Sequence, residues 1–155
     1  MSHFRFVQDW LEGWNSRNPD RIMAHYAEDA VFQSPSVLAL GGSGDGVVRG
    51  KKEITEFTRR AFERFPKLRF EVEDVIERPQ GVIVIYRKLG VFADEPGFTV
   101  EVFEFENDLV KRNTVYWSAE EVASRFGALS SRSPIMCGSS GAPAERGGDD
   151  ECRSR

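Results

Sequence analysis

Glu101 is the side chain whose surroundings in sequence point most directly to chemistry. In Phe98-Thr99-Val100-Glu101-Val102-Phe103-Glu104-Phe105, strand alternation puts Glu101 on one face with Phe103 and Phe105. With those rings turned into a concavity, the carboxyl sits among apolar groups, and desolvation raises its pKa. A carboxyl poised towards neutrality both donates and accepts a proton. The opposite parity turns Val100 and Val102 inward and leaves Glu101 a solvated carboxylate.

Trp14, Tyr26, Phe57, Phe103 and Trp117 are expected to line the same cavity, and Tyr and Trp would offer polar handles to a ligand. As plain core residues they need no further role. Ser34, just before Pro35, is able to donate a hydrogen bond at a pocket mouth or to serve as a turn residue. Asp74 either shares an inner face with Phe70 and Val72 or lies on the solvent side of a bulge. His25 neighbours Tyr26 but, on a helix, points about 100° away from it, which predicts a partly exposed imidazole. The two histidines, His3 and His25, form no HxxxH, and Cys137 and Cys152 both fall near the C-terminus, so no metal site is expected. Gly41 to Gly46 lacks the Lys and Ser/Thr of a phosphate loop, and no Ser-His-acid or Cys-His pairing is suggested. No cofactor is expected.

The elements that must position these residues read as follows. Phe6, Val7, Trp10, Leu11 and Trp14 recur at helical spacing and predict a helix over 3–16. Asn18-Pro19-Asp20 restarts a short helix whose apolar face is Ile22, Met23 and Tyr26. Ala30 to Gln33 reads as a strand, and Gly41 to Gly46 as a mobile loop, either a lid or a surface excursion. Ile54, Phe57, Ala61 and Phe65 stripe a third helix over 51–65, which Pro66 stops. Four strands are expected over 68–77, 82–92, 98–106 and 109–117, with turns at Arg78-Pro79-Gln80-Gly81, Asp94-Glu95-Pro96-Gly97 and Asn107-Asp108. Ser118-Ala119-Glu120-Glu121 carries a capping-box pattern for a last short helix. Helices gathered before a meander imply an α+β domain, one curved antiparallel sheet with helices on its concave face.

The sequence has 155 residues, and all of its twelve Phe, three Trp and three Tyr precede Gly127. That predicts one domain over 1–129 and an unstructured 130–155, where apolar area is too scarce to offset ordering entropy. A formal net charge of −4 argues against a nucleic-acid surface, and Arg59, Arg60 and Arg64 read as a solvated helix face. No apolar run approaches the ~20 residues of a membrane span, and the first residues show no apolar core of a signal peptide. With both cysteines in the polar tail, a reducing cytoplasm is the expected location.

Phe6 to Asn15, Asn18-Pro19-Asp20 and His25-Tyr26-Ala27-Glu28-Asp29-Ala30-Val31-Phe32 resemble the opening of the nuclear transport factor 2-like superfamily, which includes ketosteroid isomerases and SnoaL-like polyketide cyclases. Gly50, Ile54 and Phe57 are similar to its third-helix entry, and Tyr116-Trp117-Ser118 to the last strand of some ketosteroid isomerases. The resemblance implies a cone-shaped α+β barrel and a catalytic carboxyl at Glu101, as acid/base or as oxyanion donor. It puts Ser34 where the isomerases keep an Asp base and Trp10 where they keep a Tyr donor, so Trp10 joins the expected pocket residues. Isomerisation by that mechanism is therefore not expected, because a neutral hydroxyl is a poor base. Three readings remain. The first is a cofactor-free isomerase, cyclase, dehydratase or epoxide hydrolase acting on an apolar metabolite. The second is a hydrophobic-ligand binder. The third is an interaction domain, with a homodimer expected through the convex sheet face at Val84, Tyr86, Val100 and Val102.

Overall fold

The computed structural model describes residues 3–91 and 98–117. The turn expected at 94–97, the helix expected after Ser118 and the tail over 130–155 lie outside the described residues. The order is α1 (His3–Asn15), α2 (Pro19–Met23), β1 (Tyr26–Gln33), α3 (Pro35–Ala39), β2 (Val47–Arg49), α4 (Lys51–Arg64), β3 (Arg69–Arg78), β4 (Gly81–Leu89), β5 (Phe98–Glu106) and β6 (Leu109–Trp117). The strands form one curved, unclosed sheet in the order β2-β1-β6-β5-β4-β3, with only the β1–β6 pairing parallel. This is the α+β cone that the resemblance implies. The parallel β1–β6 pairing departs from the wholly antiparallel sheet expected, because the α3–β2–α4 segment and the β3–β5 strands separate those two strands in sequence.

Helix α1 buries Phe6, Val7, Trp10 and Gly13, one stripe at helical spacing. A Cβ on Gly13 would meet Ile22 Cγ1 at 2.7 Å, so the glycine lets α2 close on α1. Asn18 caps α2 by accepting from the Arg21 amide at 3.0 Å, with Pro19 in the first turn. The Asn15 amide pairs with both backbone groups of Phe70, at 2.8 and 3.0 Å, and ties the end of α1 to β3. Arg17 donates to the carbonyls of Phe62, Phe65 and Pro66, satisfying the open end of α4.

Tyr26 departs from its expected place. It opens β1 instead of continuing a helix, because Tyr26 pairs with Val110 in β6 and the Val110 amide donates to the His25 carbonyl at 2.8 Å. Strand pairing outweighs the local helical spacing of Ile22, Met23 and Tyr26. Two elements were not foreseen. Ser34 caps α3, and β2 adds a three-residue edge to β1. Between them the Gly41–Gly46 segment closes as a bonded turn. Gly42 lies so near α3 that a Cβ would meet Val37 Cγ1 at 2.4 Å, and the Ser34 amide donates to the Gly46 carbonyl at 3.0 Å.

Asn107 and Asp108 both take positive φ, 52° and 62°, in the two-residue turn that joins β5 to β6. Asp74 is exposed beside a register shift between Val72 and Asp74, the bulge alternative of its two readings. Val84 pairs with Glu101, and Glu101 with Val115, so these three share one face. That face is the concave one, since Val84 and Glu101 are buried. Val84 and Tyr86 therefore point inward, correcting the expectation that they join Val100 and Val102 on the convex face. From Val82 to Tyr86 both faces of β4 are apolar, so alternation alone could not assign them.

Candidate functional site

A cavity of about 440 Å³ opens between the concave sheet and helices α3 and α4. Glu101 lines it and is 3 % exposed. Its neighbours come from the strands on either side. Tyr86, diagonal to it on β4, donates its hydroxyl to Oε2 at 2.5 Å. Asn113, diagonal on β6, donates Nδ2 to Oε1 at 2.7 Å. The same amide nitrogen donates to the Tyr26 hydroxyl oxygen at 2.6 Å. Four buried polar side chains from β1, β4, β5 and β6 thus form one chain of hydrogen bonds in an apolar wall.

Burial raises the Glu101 pKa above its ordinary value, against the Tyr86 hydrogen bond, the charge of Lys88 and the Asn113 hydrogen bond. Burial also raises the Tyr26 pKa well above its ordinary value, with the Glu101 charge and against the Asn113 hydrogen bond. Tyr26 therefore keeps its proton. Because its oxygen accepts from Asn113, that proton is free to point at a molecule in the cavity. The site so combines a tunable carboxyl with a neutral hydroxyl donor on one wall.

Trp14 and Phe57 also line the cavity. Trp14 packs its ring against Phe70 and Phe62, and its Nε1 has no hydrogen-bond partner among the described residues. Phe103 and Trp10 do not line it. Both are fully buried where α1 meets the sheet, with ring centroids 5.4 Å apart, so they are core and not pocket residues. The side chain of Trp117 lies outside the described residues. Ser34 lines the cavity, but its Oγ accepts from the Ser36 amide at 3.2 Å and pairs with Ser36 Oγ at 2.6 Å. That hydroxyl is engaged as the cap of α3. His25 is half-buried, 3.4 Å from Asp9 and edge-on to Phe6, outside the cavity lining.

Sequence reasoning missed Tyr86, Asn113 and Lys88, and it read Arg64 only as solvated. Arg64 is exposed yet lines the cavity, together with Lys88. Among the described residues no group of three His, Cys, Asp or Glu is placed to hold a metal ion. None of their helices is long and apolar enough to cross a membrane.

The sequence pattern of the SnoaL-like domain matches residues 7–113. A SnoaL-like protein of unknown function from Burkholderia thailandensis is 26 % identical, with a TM-score of 0.65 over 76 % of this chain and 98 % of that one. A nuclear transport factor 2-like protein of unknown function from Burkholderia pseudomallei is 20 % identical, with a TM-score of 0.68 over 83 % of this chain and all, 100 %, of that one. TerC, co-crystallised with polyporic acid, is 16 % identical, with a TM-score of 0.63 over 78 % of this chain and 95 % of that one. The last two likenesses concern the fold alone. No curated protein matches the sequence.

Proposed function

This chain belongs to the SnoaL-like domain family, and we propose that it is a cofactor-free acid/base enzyme acting on an apolar small molecule that bears a carbonyl or an epoxide. The observation that carries the reading is the buried Glu101 carboxyl facing a mostly apolar cavity beside the Tyr26 hydroxyl. Glu101 takes or gives the proton. Tyr26 hydrogen-bonds the oxygen on which negative charge develops, whether carbonyl or epoxide oxygen. Tyr86 and Asn113 fix the carboxyl, and Trp14 and Phe57 pack the apolar part of the ligand. Isomerisation, aldol-type cyclisation, dehydration and epoxide opening share this set of groups. Ser34, held by its capping bonds, is a wall residue in this reading and not the base.

Nitrobenzisoxazole tests the reading without knowledge of the natural substrate. A base removes its ring C–H proton, the N–O bond breaks, and a coloured cyanonitrophenolate forms. A desolvated carboxylate in an apolar cavity accelerates that step. Glu101→Gln should lower the protein-dependent rate roughly 100- to 10,000-fold while leaving the melting profile a folded one. No acceleration by the unaltered protein, with the neutral compound shown to bind, moves the assignment to a hydrophobic-ligand binder. That second reading has its own support, since both carboxylate oxygens already hold protein donors.

The convex face carries the rows Ile83, Val102, Thr114 and Ile85, Val100, Tyr116 across β4, β5 and β6, with Tyr116 58 % exposed. A second copy of this chain is the proposed cover for that face. Sedimentation as a monomer at tens of micromolar would remove the homodimer.

A further inference from the structure

The cavity has an electrostatic character that the acid/base reading leaves unused. Along β4 the concave-face positions run Val82, Val84, Tyr86 and Lys88, from solid core to cavity wall. Lys88 is half-buried, with Nζ 5.7 Å from the Tyr86 ring centroid and 5.9 Å from that of Phe70. Its charge reaches Glu101, where it favours the ionised form. Arg64, in the last turn of α4, borders both the cavity and an adjoining surface depression next to Ala39, Leu40 and Gly41, which marks it as a mouth residue. Among the described residues, the charged side chains lining the cavity are Lys88, Arg64 and Glu101, the last a carboxyl that burial biases towards neutrality. The protein around them has a formal net charge of −4. An ammonium and a guanidinium bordering low-dielectric aromatic walls attract anions.

We propose that the ligand is an apolar, ring-bearing molecule with an anionic group, a carboxylate being the simplest, which Lys88 and Arg64 hold while its uncharged reactive end meets Glu101 and Tyr26. The inference rests on the cavity being the ligand site and names the class of molecule it selects. It also assigns Lys88 as a binding residue that orients the substrate. The ammonium and guanidinium select the charged end, and the rings of Trp14, Phe57 and Phe70 the apolar end.

Two fluorescent probes of one skeleton separate the contributions: anilinonaphthalene sulfonate, which is anionic, and phenylnaphthylamine, which is neutral. The full chain should bind the sulfonate more tightly. Lys88→Met keeps the apolar stem and should weaken the sulfonate about tenfold while shifting the neutral probe less than about twofold. Lys88→Arg should retain the preference. Arg64→Gln, at an exposed position, should weaken the sulfonate alone by about threefold. Equal affinity of the unaltered protein for both probes overturns the anion assignment and leaves the cavity reading intact. A parallel loss of both probes in Lys88→Met, with Arg64→Gln unchanged, also overturns it. Failure of both probes to bind the unaltered protein overturns the cavity reading and this inference together.

Discussion

Glu101 and Phe103 stand two residues apart on the same face of β5, yet they belong to different regions of the molecule. Around Phe103 the space is filled. Phe6 and Trp10 reach it from α1 at ring distances of 4.9 and 5.4 Å, and Phe103 has no exposed surface. Around Glu101 the helices part. Helix α1 packs on β3 and β4, α4 packs on β1 and β2, and the gap between them is the cavity. Polar side chains follow the gap. Tyr26, Glu101 and Asn113 are buried at its wall, where an apolar packing partner is missing and a ligand can take its place. One strand thus carries both a packed region that stabilises the fold and an open one that is available for chemistry.

Truncation on the two sides should differ most in stability. Phe103→Ala opens a void in a close-packed cluster and should cost about 3–5 kcal/mol in denaturant unfolding. Phe57→Ala removes a ring that already borders open space, and should cost about 3 kcal/mol or less. Equal costs would mean that the cavity closes in solution.

The next contrast lies within the polar chain. Tyr26→Phe removes the hydroxyl that borders the cavity and should slow nitrobenzisoxazole opening roughly 100-fold, at a stability cost of about 1–3 kcal/mol because the buried Asn113 amide loses an acceptor. Tyr86→Phe removes a donor that favours the charged carboxylate, so the Glu101 pKa should rise further and the pH–rate midpoint should move upward. The same response in both variants would deny that the hydroxyls have separate roles.

Much of this was legible from local pattern. The α1 stripe, the Asn18-Pro19 restart and the turn at Asn107-Asp108 follow from spacing and turn chemistry, whereas alternation left two parities for Glu101 and burial selects the inward one. Asn113 was hidden by the register. Counting back from the Asn107-Asp108 turn pairs Glu101 with Thr114 and sends Asn113 to the convex side. An irregularity between Glu104 and Phe105 shifts the pairing by one residue, which makes Val115 the partner and turns Asn113 inward. Tyr86 was hidden because both faces of β4 are apolar. The cap at α3 had a visible signal, Ser34 followed by Pro35, but it also fits a turn. Trp10 and Phe103 were assigned to the pocket because aromatic spacing does not say where the helices diverge.

The smallest expected effect is on stability as a function of pH, and it isolates Glu101 without any ligand. Its folded pKa is raised above its ordinary value of 4.5 by burial. Below that ordinary value the carboxyl is protonated in both states and adds no pH dependence. Between the ordinary value and the raised one, the unfolded chain has released the proton while the folded chain still holds it. Unfolding then releases a proton, so stability falls as pH rises, with a slope of at most about 1.4 kcal/mol per pH unit from this one group. Above the raised value both states are ionised and the loss is complete. Glu101→Gln holds a neutral amide at every pH and should abolish that contribution, so the difference in stability between variant and parent should grow in the variant's favour across the window. Denaturant unfolding of the two proteins at matched pH values measures it. A parent whose stability relative to Glu101→Gln does not change above pH 4.5 would show a carboxyl with the proton affinity of a solvated one, and the packed and open regions would then differ in shape but not in chemistry.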